Sequence, residues 1–206
     1  MKITPLIYGY SRMKESMAFI EGDPNRDLPI SFTFYLIQAE SFNILVDTGC
    51  TTMPGWEMTD FRGPVAALRE VGLAPKDITH LLITHAHHDH IEMAGLYENA
   101  AVFIQKKEYE KGKKYFNSDA KITLFEEKIT PIPNIPNIQM VCIGGHSPGS
   151  CIVEIGNTVI AGDECYTRRN LTKKIPTGSS SDPQKSRAFI EKYSDPKYTV
   201  LLCHEK

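Results

Sequence analysis

The stretch Thr84-His85-Ala86-His87-His88-Asp89-His90 decides how this chain is read, because His85, His87, Asp89 and His90 place four potential metal ligands within six residues. In an extended segment alternate residues share a face, so His85 and His87 present their imidazoles to one ion from the same side. A turn into a helix then swings Asp89 and His90 toward a second ion and leaves Ala86 and His88 as outward positions. The plain alternative is a chance run of histidines on a solvated loop. Against it, five of the seven histidines (His85, His87, His90, His146 and His204) fall at the inward-spaced positions of this run or in equally suggestive places downstream.

The flanking sequence supplies the frame. Ile78 to Thr84 predicts a strand that delivers the histidine loop. Before it, Pro64, Val65, Leu68 and Val71, with Gly72 just past the end, describe an amphipathic helix. Further upstream, Ile3 to Tyr10, Ser31 to Gln38 and Phe42 to Val46 are strand-like, and the short Ala39-Glu40-Ser41 turn joins the last two as a hairpin. The polar, Gly- and Pro-marked segment from Ser11 to Pro29 reads as a loop that can overhang the site. Phe42 to Val46 runs directly into Asp47-Thr48-Gly49, which puts a carboxylate at the end of a buried strand, where it needs partners. Asp47 either accepts hydrogen bonds in support of the metal loop or caps local amides.

Downstream, Ala100 to Gln105 predicts a strand and Lys106 to Phe116 a charged helix. Pro131-Ile132-Pro133-Asn134-Ile135-Pro136 is an extended connector, since prolines lack the donor a central strand requires. Strands follow at Ile138 to Ile143, Cys151 to Ile155 and Thr158 to Ala161, then a helix opened by Asp182-Pro183 and a last strand from Tyr198 to Cys203. Two strand-rich halves, each followed by helices, predict one α/β (α+β) domain over residues 1–206, with two mixed sheets packed face to face and helices outside.

Three more candidate ligands sit at strand ends: His146 in Gly144-Gly145-His146-Ser147-Pro148-Gly149, Asp163 in Ala161-Gly162-Asp163, and His204 after Val200-Leu201-Leu202-Cys203. Residues just past buried strands reach the rim of a sheet, so separate strands can deliver ligands to one place. The set sorts into two ions, with His85, His87 and His146 on one, Asp89, His90 and His204 on the other, and Asp163 bridging. Nitrogen and carboxylate donors suit two divalent ions, zinc first, with manganese, iron and cobalt also accepted.

These residues carry a resemblance. The chain resembles hydrolases of the metallo-β-lactamase superfamily, whose His-x-His-x-Asp-His motif, later His, bridging Asp and final His all have matches here in order. The resemblance implies an αβ/βα sandwich with a dinuclear site at one edge. Within the superfamily the chain is similar to N-acyl homoserine lactonases through Asp47-Thr48-Gly49, His146-Ser147-Pro148-Gly149 and Asp163-Glu164-Cys165-Tyr166. In those enzymes a Tyr three residues after the bridging Asp contacts the substrate carbonyl. The resemblance assigns that role to Tyr166, with a packing role as the alternative. The chain departs from the lactonase pattern in a shorter Cys50 to Asp60 segment and in His88, which replaces an aromatic residue inside the motif. It stops two residues after His204, which speaks against a thioester hydrolase of the hydroxyacylglutathione hydrolase type, since those carry a helical domain after the last His. A mononuclear iron oxidoreductase of the persulfide dioxygenase type is the rival from another class.

The expected reaction is hydrolysis of a lactone or related ester by a hydroxide bridging the two ions, since coordination lowers the pKa of water from 15.7 to about 7. Tyr166 and Asp89 are the expected catalytic side chains, with Asp89 passing a proton to the leaving oxygen. Arg168, Arg169, Lys173 and Lys174 either meet an anionic substrate or form a solvated charged loop. A formal charge of −2, from 23 Lys+Arg against 25 Asp+Glu, leaves no basic field for nucleic acid or anionic lipid, so the expected partner is a small-molecule substrate. The oligomeric state is open, a homodimer included. The N-terminus has no apolar leader core and no stretch reaches a membrane span, which points to a cytoplasmic protein. Five cysteines without Cys-x-x-Cys pairs read as reduced core residues.

Overall fold

Near-continuous apolar runs mark strands buried on both faces, and such runs form the parallel centre of the first sheet. The computed structural model describes residues 1–206. Strands β1 (Lys2–Lys14), β2 (Asp27–Ala39), β3 (Phe42–Val46), β4 (His80–Ile83), β5 (Ala101–Gln105) and β6 (Lys121–Phe125) form a six-stranded sheet in that order. β2 and β3 are the antiparallel hairpin anticipated from the Ala39-Glu40-Ser41 turn, and Glu40 takes the positive φ of 49° that the turn requires. From β3 to β6 the strands run parallel, with Leu45 opposite Leu81 and Leu81 opposite Val102, all three buried. Parallel neighbours need crossovers. α2 (Pro64–Glu70) and α4 (Lys106–Gly112) lie in two of them, and the short α3 (His88–Ile91) lies between β4 and β5.

The chain divides into two compact units, Met1–Tyr10 with Phe32–Glu126, and Ser11–Ser31 with Glu127–Lys206. The second unit contains the five-stranded sheet of β7 (Ile129–Pro131), β8 (Ile138–Cys142), β9 (Cys151–Ile155), β10 (Thr158–Ile160) and β11 (Thr199–Leu201). Its spatial order is β11-β10-β9-β8-β7, antiparallel throughout except for the parallel β10–β11 pair. Pro131 ends the edge strand β7, the place in a sheet where a missing N–H is tolerated. α1 (Glu15–Ala18), α5 (Arg168–Lys173) and α6 (Pro183–Tyr193) complete this unit. Asp182 caps α6 by accepting from Gln184 N and Lys185 N, each at 3.2 Å. Ser186, Phe189, Ile190 and Tyr193 follow the i, i+3, i+4, i+7 spacing and form its buried face, packed with Ile152, Val159 and Val200.

Two local expectations are corrected, and one strand is added to those expected. The segment from Ser11 to Pro29 is not one loop: β1 continues to Lys14, α1 follows, and β2 begins at Asp27. Ser11, Met13 and Glu15 are buried while Arg12 and Lys14 are exposed, the period of a strand with one covered face. The buried Glu15 pairs with Arg26 and Arg169, so ion pairing and not apolar side chains orders this stretch. Strand β6 went unread because it is an edge strand of mixed polarity, with Lys121, Thr123 and Leu124 exposed. Arg168, Arg169 and Lys173 lie on helix α5, and Lys174 is its left-handed cap at φ 53°. All five cysteines are free thiols, and no helix is long and apolar enough to cross a membrane.

Candidate metal centre

In the first unit the histidine loop leaves β4 extended through Thr84 to His87, which caps α3. His85 Nε2 lies 3.1 Å from His87 Nδ1, and the His85 and His90 rings are 4.1 Å apart, so alternation along the strand and the turn into α3 do converge these imidazoles. Asp47 organises them. Held at φ 65°, a left-handed conformation that Asp tolerates, it accepts from Thr84 N at 2.8 Å, Thr84 Oγ1 at 2.8 Å and His90 Nδ1 at 2.7 Å. Asp47 therefore supports the metal loop directly. Thr48 adds two bonds to the His90 carbonyl, from N at 2.8 Å and Oγ1 at 3.1 Å. With Nδ1 donating to a carboxylate, a neutral His90 carries its lone pair on Nε2, and that nitrogen lies 3.6 Å from Asp89 Oδ2. The Asp89 carbonyl accepts from Tyr8 OH at 3.1 Å. The outward positions go elsewhere: Ala86 N donates to the buried Glu108 at 3.0 Å, and His88 bonds Tyr115 OH at 3.0 Å and the Thr52 carbonyl at 2.9 Å.

In the second unit His146, Asp163, His204 and Tyr166 meet, each delivered from just beyond β8, β10 or β11. Asp163 is the hub. Its Oδ2 is 3.5 Å from His146 Nε2 and its Oδ1 is 3.1 Å from His204 Nε2, while Tyr166 OH donates to Oδ2 at 3.1 Å. Glu164 fixes the backbone that bears His146. It is fully buried and accepts from Gly145 N at 3.1 Å, His146 N at 3.2 Å and Ser150 Oγ at 2.5 Å. Burial pushes its carboxyl up to about 7, with these hydrogen bonds pulling the other way. The approach is so close that a Cβ on Gly145 would sit 2.4 Å from Glu164 Oε2, which explains the glycine before His146.

The donor chemistry can be tested against a metal at His204. Its Nδ1 lies 3.0 Å from the Ser31 carbonyl, an acceptor, so in the neutral imidazole, the form that binds metal, Nδ1 holds the proton and Nε2 the lone pair. Nε2 therefore faces an Asp163 oxygen, acceptor against acceptor at 3.1 Å. Such a contact is stable when a cation is shared between the two atoms, and imidazole nitrogen with carboxylate oxygen is the donor set of zinc and its neighbours. The residues fit the group. Glu164, Glu108 and Thr84 have supporting roles that the sequence did not reveal. The only local hint was the Gly144-Gly145 pair, which implies a close backbone approach without naming what approaches.

The family model described as the metallo-beta-lactamase superfamily matches residues 33–204. The N-acyl homoserine lactonase AiiA of Bacillus thuringiensis subsp. kurstaki is 26% identical over 197 residues, covering 84% of this chain and 78% of the relative. A Bacillus cereus N-acyl homoserine lactonase is 28% identical over 184 residues, covering 74% and 71%. Among solved structures, an N-acyl homoserine lactone hydrolase with N-hexanoyl-L-homoserine bound at its catalytic metal center superimposes with a TM-score of 0.82 at 22% identity, covering 99% of this chain and 93% of that one. AidC, a dizinc quorum-quenching lactonase, superimposes with a TM-score of 0.77 at 17% identity, covering 98% and 87%. Two mixed sheets with helices in this order thus make the fold that of the metallo-β-lactamase αβ/βα sandwich.

Proposed function

The chain belongs to the metallo-β-lactamase superfamily, and from that premise we propose that it is a dinuclear lactonase acting on an N-acyl homoserine lactone or a related cyclic ester. That it is a hydrolase of this fold follows from the family; the substrate class is our reading. The observation that carries it is the Asp163 hub, where one carboxylate turns its two oxygens to two imidazoles and takes a phenol hydrogen as well. We assign His85, His87 and His146 to one ion, Asp89, His90 and His204 to the other, and Asp163 to both, with residues 1–206 working as a single domain. Zinc is the metal the donor set favours.

Bound divalent ions supply Lewis acidity and a water whose pKa drops from 15.7 to about 7, the nucleophile for ester cleavage at neutral pH. The protein residues do the rest. The Tyr166 phenol donates a hydrogen bond to the carbonyl oxygen as it gains negative charge, which favours the transition state over the ground state. Asp89 holds the proton released by the attacking water and returns it to the ring oxygen when the acyl C–O bond breaks, leaving a carboxylate and an alcohol. Asp47 keeps His90 in the tautomer whose Nε2 binds metal, and Glu164 holds the backbone of His146 in place.

The test is elemental analysis of the purified protein, followed by assay against a lactone, a thioester, a β-lactam and a phosphodiester. Two ions per chain with lactone turnover support the reading. Turnover of the phosphodiester alone refutes it.

A further inference from the structure

The Tyr166 phenol takes part in a longer hydrogen-bonded row. Its OH lies 2.9 Å from Ser179 Oγ and donates to Asp163 Oδ2 at 3.1 Å, while Ser179 Oγ lies 3.2 Å from the Met17 carbonyl. Three gaps, from the Met17 carbonyl to Ser179, from Ser179 to Tyr166 and from Tyr166 to Asp163, are served by only two hydroxyl hydrogens. The Ser179 N–H decides which gap goes without, because it already supplies the Met17 carbonyl at 3.0 Å. Ser179 Oγ is within donating reach of the Met17 carbonyl as well, but that oxygen stays supplied by the N–H when the hydroxyl turns its hydrogen to the Tyr166 oxygen, and the single Tyr166 hydrogen then serves Asp163. Reversing the row would leave the carboxylate facing a bare phenol oxygen, acceptor against acceptor.

Ser179 is held where it can do this. A Cβ on Gly178 would meet the Ser16 carbonyl oxygen at 1.8 Å and the Phe19 carbonyl oxygen at 2.7 Å, so the 176–179 turn packs backbone to backbone against the segment after β1, a contact open only to glycine. Ile20 N donates to the Pro176 carbonyl at 2.9 Å, and Asn170 Nδ2 spans the Ala18 and Ile175 carbonyls at 2.8 and 2.9 Å. The Glu15 pairs with Arg26 and Arg169 anchor the same segment.

We propose that Ser179 is a positioning residue on a turn packed against Ser16–Phe19, which donates to the Tyr166 oxygen and so keeps the single phenol hydrogen turned away from itself, toward Asp163 in the free protein and toward a substrate carbonyl that takes over that hydrogen when bound. The catalytic part of this proposal rests on the lactonase reading; the orientation of the phenol does not. A hydroxyl that receives a hydrogen bond is polarised into a better donor, so Ser179 acts on the rate through Tyr166 alone.

The experiment labels the metal-loaded protein with ζ-13C tyrosine and assigns the Tyr166 resonance by its loss in Tyr166→Phe. Ser179→Ala should move that resonance, lower the turnover number for a lactone by about 2- to 10-fold, the range of one ordinary hydrogen bond, and leave KM within twofold. In the Tyr166→Phe background Ser179→Ala should cause no further loss. An unmoved resonance overturns the proposal. So does an equal loss of rate in both backgrounds, which would mean that Ser179 supports the turn and not the phenol. If the wild type turns over no lactone, the functional reading falls by itself and the resonance alone decides the role of Ser179.

Discussion

Asp47→Asn keeps the size and shape of the side chain and exchanges one oxygen for an NH2 group, so it isolates the role of the carboxylate beneath the histidine loop. In the wild type Oδ1 accepts from Thr84 N, and Oδ2 accepts from both Thr84 Oγ1 and His90 Nδ1. If the amide keeps its oxygen on Thr84 N, its NH2 faces His90 Nδ1. That nitrogen must then accept, and the imidazole proton moves to Nε2, the atom assigned to the metal. If the amide turns over, His90 keeps its tautomer but the NH2 group opposes the fully buried Thr84 N–H, and an unpaired buried donor costs about 1–3 kcal/mol. Both arrangements carry a penalty of this size, which matches the roughly 10- to 100-fold loss of metal affinity known for such orienting partners. Asn adopts the left-handed backbone of position 47 as readily as Asp, so the fold should persist. The assay is competition with a chromophoric chelator, monitored per ion, with the metal-stripped melting temperature as control. We expect one ion to weaken by about 10- to 100-fold and the melting temperature to fall by about 2–4 °C for each kcal/mol lost. An affinity within twofold of wild type at both ions would refute the tautomer argument.

Tyr166→Phe should retain both metals and lower the turnover number by about 10- to 100-fold, less than the loss of an unaided oxyanion donor; a wild-type rate would make Tyr166 a packing residue. Asp163→Asn should reduce the content of both ions in elemental analysis, because its two oxygens face two different imidazoles; loss of one ion alone would contradict the bridge. His88→Ala should leave metal content unchanged, since that ring bonds Tyr115 and Thr52, and a metal-poor variant would show the register to be wrong. Glu15 is held below the ordinary carboxyl value of 4.5, chiefly by its hydrogen bonds from Arg26, so the stability it contributes is present above 4.5 and is lost as pH falls through its lowered value. Acid denaturation of Glu15→Gln should therefore be flatter below pH 4.5 than that of the wild type, and superimposable curves would contradict the assignment.

The parts of this molecule that could be read in advance are those whose partners lie close in sequence or whose position follows from a strand end. His85, His87, Asp89 and His90 are such a case: a strand with a period of two followed by one turn of helix converges them within a single loop. His146, Asp163 and His204 were accessible as polar residues just beyond apolar runs. The unread features depend on distant partners. Nothing near Glu164 indicates that it is buried under the His146 loop, because a carboxylate beside a candidate ligand looks as solvated as any other. Glu108 lies in a helix of lysines and glutamates and yet bonds Ala86 from 22 residues away. Glu15 hid the continuation of β1, since burial offset by ion pairs leaves no trace in hydropathy.

The insertion of Ser11–Ser31 into a unit otherwise made of residues 127–206 bears on how the protein is made. The Ser31 carbonyl is 173 residues ahead of its partner His204, and Glu15 is 154 residues ahead of Arg169. At a synthesis rate of about 5–20 residues per second, His204 reaches Ser31 roughly 9–35 s after Ser31 itself is made. Once Glu126 has been made the first unit has its whole sequence, whereas the second still lacks the residues that complete the Asp163 hub. Closing such long loops is slow compared with forming local contacts. Refolding should accordingly be paced by the docking of Ser11–Ser31 onto residues 127–206.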